Sequence, residues 1–506
     1  MNITHHIEQA SRLFPQKDAL KFEDNALSYS ELNQRANRLA NGLRRLGVKT
    51  GDRVALFLPN RPDFVIAYLG ALKLGAIAVS LNVMLKSSEV EFILNDCTAK
   101  VLITTQELSQ EVPLADSPHL EALLIADGQA TRGISLSHLM AEASPTGKAV
   151  EMAGDAAAAI VYTSGTTGFP KGATLSHRNI ITNMHAQRRC CDMRSDDRLL
   201  LYLPLFHCFG QNAILNSGFS ACATIVLQGR FKPEQFLEAI SAERVTMVFG
   251  VPTVFIKLLN LDTASCDLSS VRFYFSAAAS LPEEVAQRWR EKHGYIIHEG
   301  YGLTESSPCA CYNHNLTYKS GSIGRPIEEV EMKVVDANGV EVPPGELGEV
   351  IIRGPNVMLG YWNRPLDTAK VLKNGWLHTG DIGRMDAEGY FYIVDRLKDM
   401  INVSGFKVYP AEVENVLYQH PAIAEAAAYG VADPLKGELV KANILIKSGQ
   451  FLTTEQLMDF CSERMAVYKI PRTFNFVSSI PKNPTGKILK RLLRQDVPAP
   501  LTAMSR

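Results

Sequence analysis

The sequence predicts an α/β protein: a large N-terminal domain of two βαβ-layered subdomains with a small β-rich subdomain, then a small α+β C-terminal domain. Three observations predict it. Helix-like and strand-like runs alternate from Ser30 onward, the pattern of parallel layers covered by helices. After about Gly321, short strands are instead separated by Gly, Pro and Asn turns. Past Lys398 a compact pattern of helix, two strands and helix begins. With 506 residues, 46% of them hydrophobic, the chain exceeds what a single core holds.

Taken in order, Leu32, Ala36, Leu39, Leu43 and Leu46 recur at three- and four-residue steps between Arg and Asn, which makes Ser30 to Leu46 an amphipathic helix. Asp52 to Leu58 reads as a strand, Asp63 to Lys73 as a helix and Ala76 to Leu81 as a strand. Phe64 to Leu85 is apolar enough to suggest a membrane span. Lys73 lies in its middle and Gly70 and Gly75 flank it, so helix then buried strand is predicted, and no integral membrane segment. A polar segment, Asp116 to Ala149, is expected to connect the first sheet to the next stretch. Strands follow at Leu199–Leu203, Ala223–Leu227 and Met247–Phe249, with helices at Pro233–Glu243 and Pro282–Lys292.

Turns such as Asp336-Ala-Asn-Gly339 and Pro343-Pro-Gly345 mark the β-rich part. The C-terminal pattern comprises a helix at Pro410–Tyr418, strands near Ala424–Val431 and Ala442–Ile446, and a helix at Thr454–Arg464. A boundary at Arg396 to Lys398 divides the chain into domains 1–396 and 397–506.

The 52 basic and 53 acidic residues nearly cancel, so no nucleic-acid partner and no acidic-membrane anchor is expected. The nine cysteines are odd in number and scattered. Cys190/Cys191 and Cys309/Cys311 lack partners at zinc-site spacing, which predicts free thiols, no structural metal and a reducing, cytoplasmic setting. The N-terminus carries no basic segment followed by an apolar core, so no secretory signal is expected.

Tyr162 to Gly172 reads Tyr-Thr-Ser-Gly-Thr-Thr-Gly-Phe-Pro-Lys-Gly and leaves a strand-like run at Ala157–Val161. Thr163, Ser164, Thr166 and Thr167 offer hydroxyls, Gly165 and Gly168 let backbone N–H groups turn toward an anion, and Lys171 adds a positive charge. It is not a Walker A loop, because Pro170 precedes the lysine and Gly172 follows it. Composition alone leaves open a phosphate loop or a flexible surface loop.

The order of residues, however, resembles the nucleotide-phosphate loop of the adenylate-forming superfamily of acyl-CoA synthetases, adenylation domains and luciferases. Further motifs follow in the family's order, and the resemblance spans Leu27 to Arg491. In Gly300-Tyr301-Gly302-Leu303-Thr304-Glu305, an ordinary glycine turn if read alone, it implies that Tyr301 stacks on adenine, Thr304 contacts the α-phosphate and Glu305 binds Mg²⁺. Asp381 in Thr379-Gly380-Asp381 reads alone as a turn residue; the resemblance assigns it to the ribose hydroxyls. Asp395-Arg396-Leu397-Lys398-Asp399 reads as a solvated charge run; the resemblance places Arg396 near the ribose and makes Lys398 the hinge of a mobile C-terminal domain.

The loop at Gly405 would line the path of the thiol arm, the role of Lys407 staying open. Lys487, which ends Pro481-Lys-Asn-Pro-Thr-Gly-Lys487, would hold the substrate carboxylate during adenylation, while Lys490, Arg491 and Arg494 read as a solvated basic face.

The family activates a carboxylic acid with ATP and Mg²⁺ to an acyl-adenylate, then passes the acyl group to a thiol. Leu203-Pro-Leu-Phe-His207 resembles the stretch beside the acyl pocket, where His207 is either a gate or a buried, satisfied histidine. Phe249, Ala277, Ala278 and Gly300 are apolar or small and favour an uncharged acyl group. Gly300 stands where malonate-activating relatives carry arginine, and no aspartate begins Phe249-Gly-Val-Pro-Thr253 to hold an amino acid. The expected acid is a medium- or long-chain fatty acid, with an aryl (cinnamate- or benzoate-like) acid second. The run His207-Cys-Phe-Gly210 and the ordinary length favour CoA as acceptor, with the phosphopantetheine of an acyl carrier protein as the alternative. A non-catalytic acyl- or nucleotide-binding regulator on the same fold is the reading from another class.

Overall fold

The computed structural model describes residues 1–128, 130–163, 170–261, 263, 266–314, 317–483 and 486–495. Two large, mainly parallel sheets form the N-terminal domain. The first runs, in spatial order, Gly360–Tyr361, Lys171–Ser176, Ala157–Thr163, Ile77–Ser80, Arg53–Phe57, Val101–Thr104, Ala122–Ile125 and Ile134–Ser135. The second runs from Arg325–Pro326 through Cys309–Tyr312, Ile297–Gly302, Phe273–Ser276, Met247–Gly250, Arg198–Leu201 and Thr224–Leu227 to Asp18–Phe22 and Asn25–Ser28. Their central strands are wholly buried runs such as Ile77–Ser80 and Thr224–Leu227, as parallel strands covered on both faces must be.

The helices Tyr29–Arg45 and Pro62–Lys73 pack on each other and bury their apolar residues in the core shared with the second sheet. Ser28 starts the first of them with a reciprocal cap, its side chain accepting from the Glu31 N–H while the Glu31 carboxylate takes the Ser28 N–H. The far face of the first sheet has its own core of Phe57, Val79, Ile93, Leu102 and Leu123. Lys73, the charge that argued against a membrane span, is buried and paired with Glu8 at 2.7 Å. Among the described residues no helix is long and apolar enough to cross a membrane.

The β-rich part is a five-stranded sheet of Glu331–Val335, Gly348–Arg353, Trp376–Met385, Leu372–Lys373 and Phe391–Arg396. The C-terminal domain carries another five-stranded sheet, flanked by the helices Pro410–Tyr418 and Thr454–Ser462, over a separate core that includes Val413, Leu417, Ala428, Ile444 and Leu457.

Three expectations need correction. The polar segment 116–149 is more than a connector: Ala122–Ile125 and Ile134–Ser135 extend the first sheet, and Leu136–Ala141 is helical. In Ala122–Ile125 the buried stretch is only Leu123 to Ile125, too short an apolar run to stand out among polar neighbours. Gly300-Tyr301-Gly302 is not a turn but the end of a strand paired antiparallel with Cys309–Tyr312. Lys490 and Arg494 are not merely solvated, since Lys490 lies 2.9 Å from Glu414 and Arg494 3.1 Å from Asp399. All nine cysteines are free thiols.

Candidate active site

The site lies where the strand ends of the second sheet meet the β-rich sheet and the C-terminal tail. Gly302 is required at the strand end, because a Cβ there would stand 1.7 Å from the Pro308 carbonyl oxygen. This close approach lets Tyr301 project toward the β-rich sheet, where its hydroxyl donates to Asp381 Oδ2 at 2.6 Å. Asp381 belongs to the long strand Trp376–Met385 and pairs across it with Arg396, whose Nε stands 2.8 Å from Oδ1. Asp381 is therefore no self-bonded turn residue. Burial opposes the charge of Arg396, but Asp381, then Tyr301 and Glu305, hold its pKa above the ordinary value.

Thr304 is buried, its hydroxyl 3.4 Å from Cys208 Sγ. The neighbouring Glu305 accepts from the Tyr361 hydroxyl at 2.8 Å. Lys171 begins the strand that leaves the phosphate-loop candidate; its ammonium lies 3.1 Å from Asp367 and 5.4 Å above the ring of Tyr361. Thr163 donates to the Lys171 carbonyl at 3.4 Å, while Ser164, Gly165, Thr166, Thr167 and Gly168 lie outside the described residues.

From the C-terminal domain, Gly486 seats a turn on the segment that follows Phe249. A Cβ at this residue would stand 2.8 Å from Thr253 Oγ1 and 2.9 Å from Val251 Cγ2. The Lys487 charge is thereby brought within electrostatic reach of Arg396, Asp381 and His207. The loop is closed by Asn483, which accepts the Lys487 N–H at 2.8 Å, and the following helix is pinned through Lys490 to Glu414. The Lys487 side chain keeps contact with solvent in the cleft, whose walls desolvate it; together with Arg396 they lower its pKa to about 8.

His207 is half-buried, and its Nδ1 accepts the Phe209 N–H at 3.2 Å, which leaves the proton of the neutral ring on Nε2. Burial, then Lys487, lowers its pKa to about 4. It is thus satisfied at Nδ1 and within electrostatic reach of Lys487.

The apolar side of the site is aromatic. Phe275 lies beside Phe209 (6.0 Å between centroids), Phe249 (5.7 Å) and Tyr312 (5.9 Å). Its ring occupies the space that a side chain at Gly300 would need, with Cζ 2.3 Å from the position of a Cβ. Phe249, Phe275, Tyr312 and Phe209 are all buried, so these rings pack together behind the site instead of forming its surface. Ala277 and Ala278 are half-buried in the loop after Phe275, Ala278 with φ +71°.

Lys398 is exposed in the short turn Leu397–Asp399. Gly405 sits at an exposed hairpin tip with φ +88°, its N–H donating to Asn402 Oδ1 at 2.9 Å.

Two features escaped the sequence reading. One is the segment 358–368 with Tyr361 and Asp367, whose Gly360-Tyr361-Trp362 run could have flagged it. The other is Glu299, a buried carboxyl bonded by the Leu281 N–H, which desolvation pushes up to about 8.

A large α/β domain of two mainly parallel sheets, a small β-rich part and a separate small C-terminal domain form the architecture of an adenylate-forming enzyme. The chain belongs to the AMP-binding enzyme family: residues 7–362 match that family and residues 412–487 its C-terminal domain. It is an AMP-forming acid–CoA ligase. It is 38% identical to a feruloyl-CoA synthase of Amycolatopsis sp over 488 residues, 96% of this chain and 97% of that protein. It is 36% identical to a long-chain-fatty-acid–CoA ligase of Bacillus subtilis over 523 residues, 96% of this chain and 92% of that one. Among solved structures, an anthranilate CoA ligase in complex with anthranoyl-AMP superposes with a TM-score of 0.93 at 33% identity, covering 98% of this chain and 97% of that one.

Proposed function

We propose that this ligase activates an uncharged aryl acid, of cinnamate or benzoate type, and transfers it to CoA. The observation that carries this reading is the buried cluster of Phe275, Phe209 and Tyr312 packed at Gly300, which fills the space behind the site. A site backed by a filled aromatic core favours a flat, compact body over a long chain, which would need open space there. Likeness to a feruloyl-CoA synthase and to an anthranilate ligase supports it. This reverses the order expected from sequence. A medium- or long-chain fatty acid is the second reading, favoured by likeness to a long-chain-fatty-acid–CoA ligase.

In this reading domain 1–396 holds ATP and the acid, and domain 397–506 supplies Lys487 and later the Gly405 loop, turning at Lys398. Tyr301 stacks on adenine while Asp381 accepts from the ribose hydroxyls, oriented by Arg396. Thr163 to Gly168 cradle the phosphates, and Lys171 and Thr304 meet them. Adenylation brings two anions together as the acid's carboxylate attacks the α-phosphorus and pyrophosphate leaves. Lys487 and Lys171 supply opposing charge at the two ends of that displacement.

Glu305 is a single carboxylate with one hydroxyl donor, a donor set that suits Mg²⁺ shared with substrate phosphates. Mg²⁺, when bound, supplies further neutralisation of phosphate charge. His207, neutral at physiological pH, shields the acyl carbonyl end. Lys487 then withdraws, the thiol of CoA attacks the acyl-adenylate and AMP leaves.

Incubation with ATP, Mg²⁺, CoA and a panel of aryl and fatty acids, read by mass spectrometry, tests the reading. Aryl-CoA should dominate; fatty acyl-CoA alone would move the assignment to the second reading, and acyl-AMP without CoA product would indicate a carrier-protein acceptor. Lys487→Ala should abolish adenylation yet spare thioester formation from supplied acyl-adenylate. Equal loss of both half-reactions would remove Lys487 from its role.

A further inference from the structure

The segment 358–368 lies along the strand that leaves the phosphate loop. Met358 N–H donates to the Glu305 carbonyl (2.8 Å), Leu359 N–H to that of Thr174 (2.9 Å) and Trp362 N–H to that of Gly172 (2.7 Å). Gly360 and Tyr361 pair with Thr174 and Ala173 as an edge strand, and the Tyr361 N–H is accepted by Thr368 Oγ1 at 2.9 Å. The helix Pro365–Val371 then offers Asp367 to Lys171. Oδ1 of Asp367 lies 3.1 Å from the Lys171 ammonium and 3.1 Å from that of Lys370. Lys171 first, then Lys370, holds this carboxyl below the usual range.

We propose that Asp367 is a positioning residue that occupies Lys171 in place of a phosphate, yields it to the nucleotide as it binds, and reclaims it as pyrophosphate leaves. The proposal rests on the reading of Lys171 as a phosphate-binding lysine. Lys171 is only 16% exposed, so its charge needs an anionic partner in the free enzyme as well as in the complex. Lys370, 71% exposed, lets Asp367 surrender Lys171 without being left unpaired. Tyr361 connects the exchange to Glu305, its ring under the lysine and its hydroxyl on the carboxylate. The carboxylate and the phosphates thus compete for one ammonium, which costs nucleotide affinity and speeds release of the product anion.

The test uses the full-length ligase in ATP–pyrophosphate exchange, with pyrophosphate also titrated as a product inhibitor. In Asp367→Asn the KM for ATP and the Ki for pyrophosphate should both fall by about twofold to fivefold, the worth of a partly exposed ion pair, with Asp367→Glu close to wild type. Lys370→Ala should shift both constants the opposite way, because Asp367 then holds Lys171 alone. A merely structural role would not give opposite shifts in the two variants. Unchanged or raised constants in Asp367→Asn with an unaltered Tm would overturn the proposal. So would, if that variant folds poorly, unchanged constants in Lys370→Ala. Lys171→Ala separates the underlying reading: undiminished ATP affinity there removes Lys171 from the phosphates, whereas lost affinity there with no shift in Asp367→Asn removes only Asp367.

Discussion

The Tyr301 hydroxyl and the Arg396 guanidinium hold the two oxygens of Asp381 from opposite sides, at 2.6 Å and 2.8 Å. A buried carboxylate gripped in this way cannot rotate, so its remaining acceptor directions are fixed before any nucleotide arrives. Asp381→Asn keeps the shape but removes the charge that Arg396 faces. The KM for ATP should rise about tenfold or more, the value of a charge-assisted hydrogen bond, in a pyrophosphate-release assay. An unchanged KM would show that the ribose is held elsewhere.

Lys487 is charged below its pKa of about 8 and neutral above it, and only the charged form can oppose a carboxylate. The kcat/KM for ATP in the exchange reaction should therefore fall as pH rises through about 8. Lys487→Arg, which keeps its charge, should lose this alkaline limb even if its peak rate is lower. A limb that survives in Lys487→Arg belongs to another group.

Gly300→Ala forces a Cβ to within 2.3 Å of Phe275 Cζ. Thermal denaturation should report a loss of about 1–3 kcal/mol, the cost of overpacking a filled core. Replacing Phe275 by Leu in the same chain should relieve the clash and open space behind the site. Measured across the acid panel, the double variant should favour longer acyl groups over aryl ones; an unaltered preference would place the acyl body elsewhere.

Glu299 ionises near pH 4.5 when unfolded but only near 8 in the fold, because burial disfavours its charge. Folding thus takes up a proton between these values, and stability is lost as pH rises through that window. Glu299→Gln carries no such charge. It should be more stable than the parent at pH 8, with the difference shrinking toward pH 4.5, as followed by denaturant unfolding across pH. A difference that does not vary with pH would mean that Glu299 is already ionised in the fold.

Much of the fold was legible because the helices carry clean periodicity: Pro233–Glu243 and Pro410–Tyr418 begin and end where their prolines and apolar steps place them. Lys487, Asp381, Arg396 and Tyr301, far apart in sequence, could be read as partners only through the order of motifs, and the structure brings them together. Asp367 could not be read at all. Nothing near Pro365 announces that a short helix will lean on a strand that starts at Lys171. The ring cluster at Phe275 was equally hidden, since it depends on the space left by the missing side chain at Gly300. Lys490 was misread because a basic run looks alike whether it faces water or Glu414.

The edge strand Gly360–Tyr361 completes a sheet whose interior begins at Arg53, while Asp18–Phe22 joins the other sheet beside Thr224–Leu227. The two layers are therefore woven through each other along the chain. During synthesis, neither can close as the ribosome delivers it, and both must wait for late-made partners with apolar edges exposed. The C-terminal domain, with a core drawn wholly from residues after Met400, carries no such debt to earlier chain.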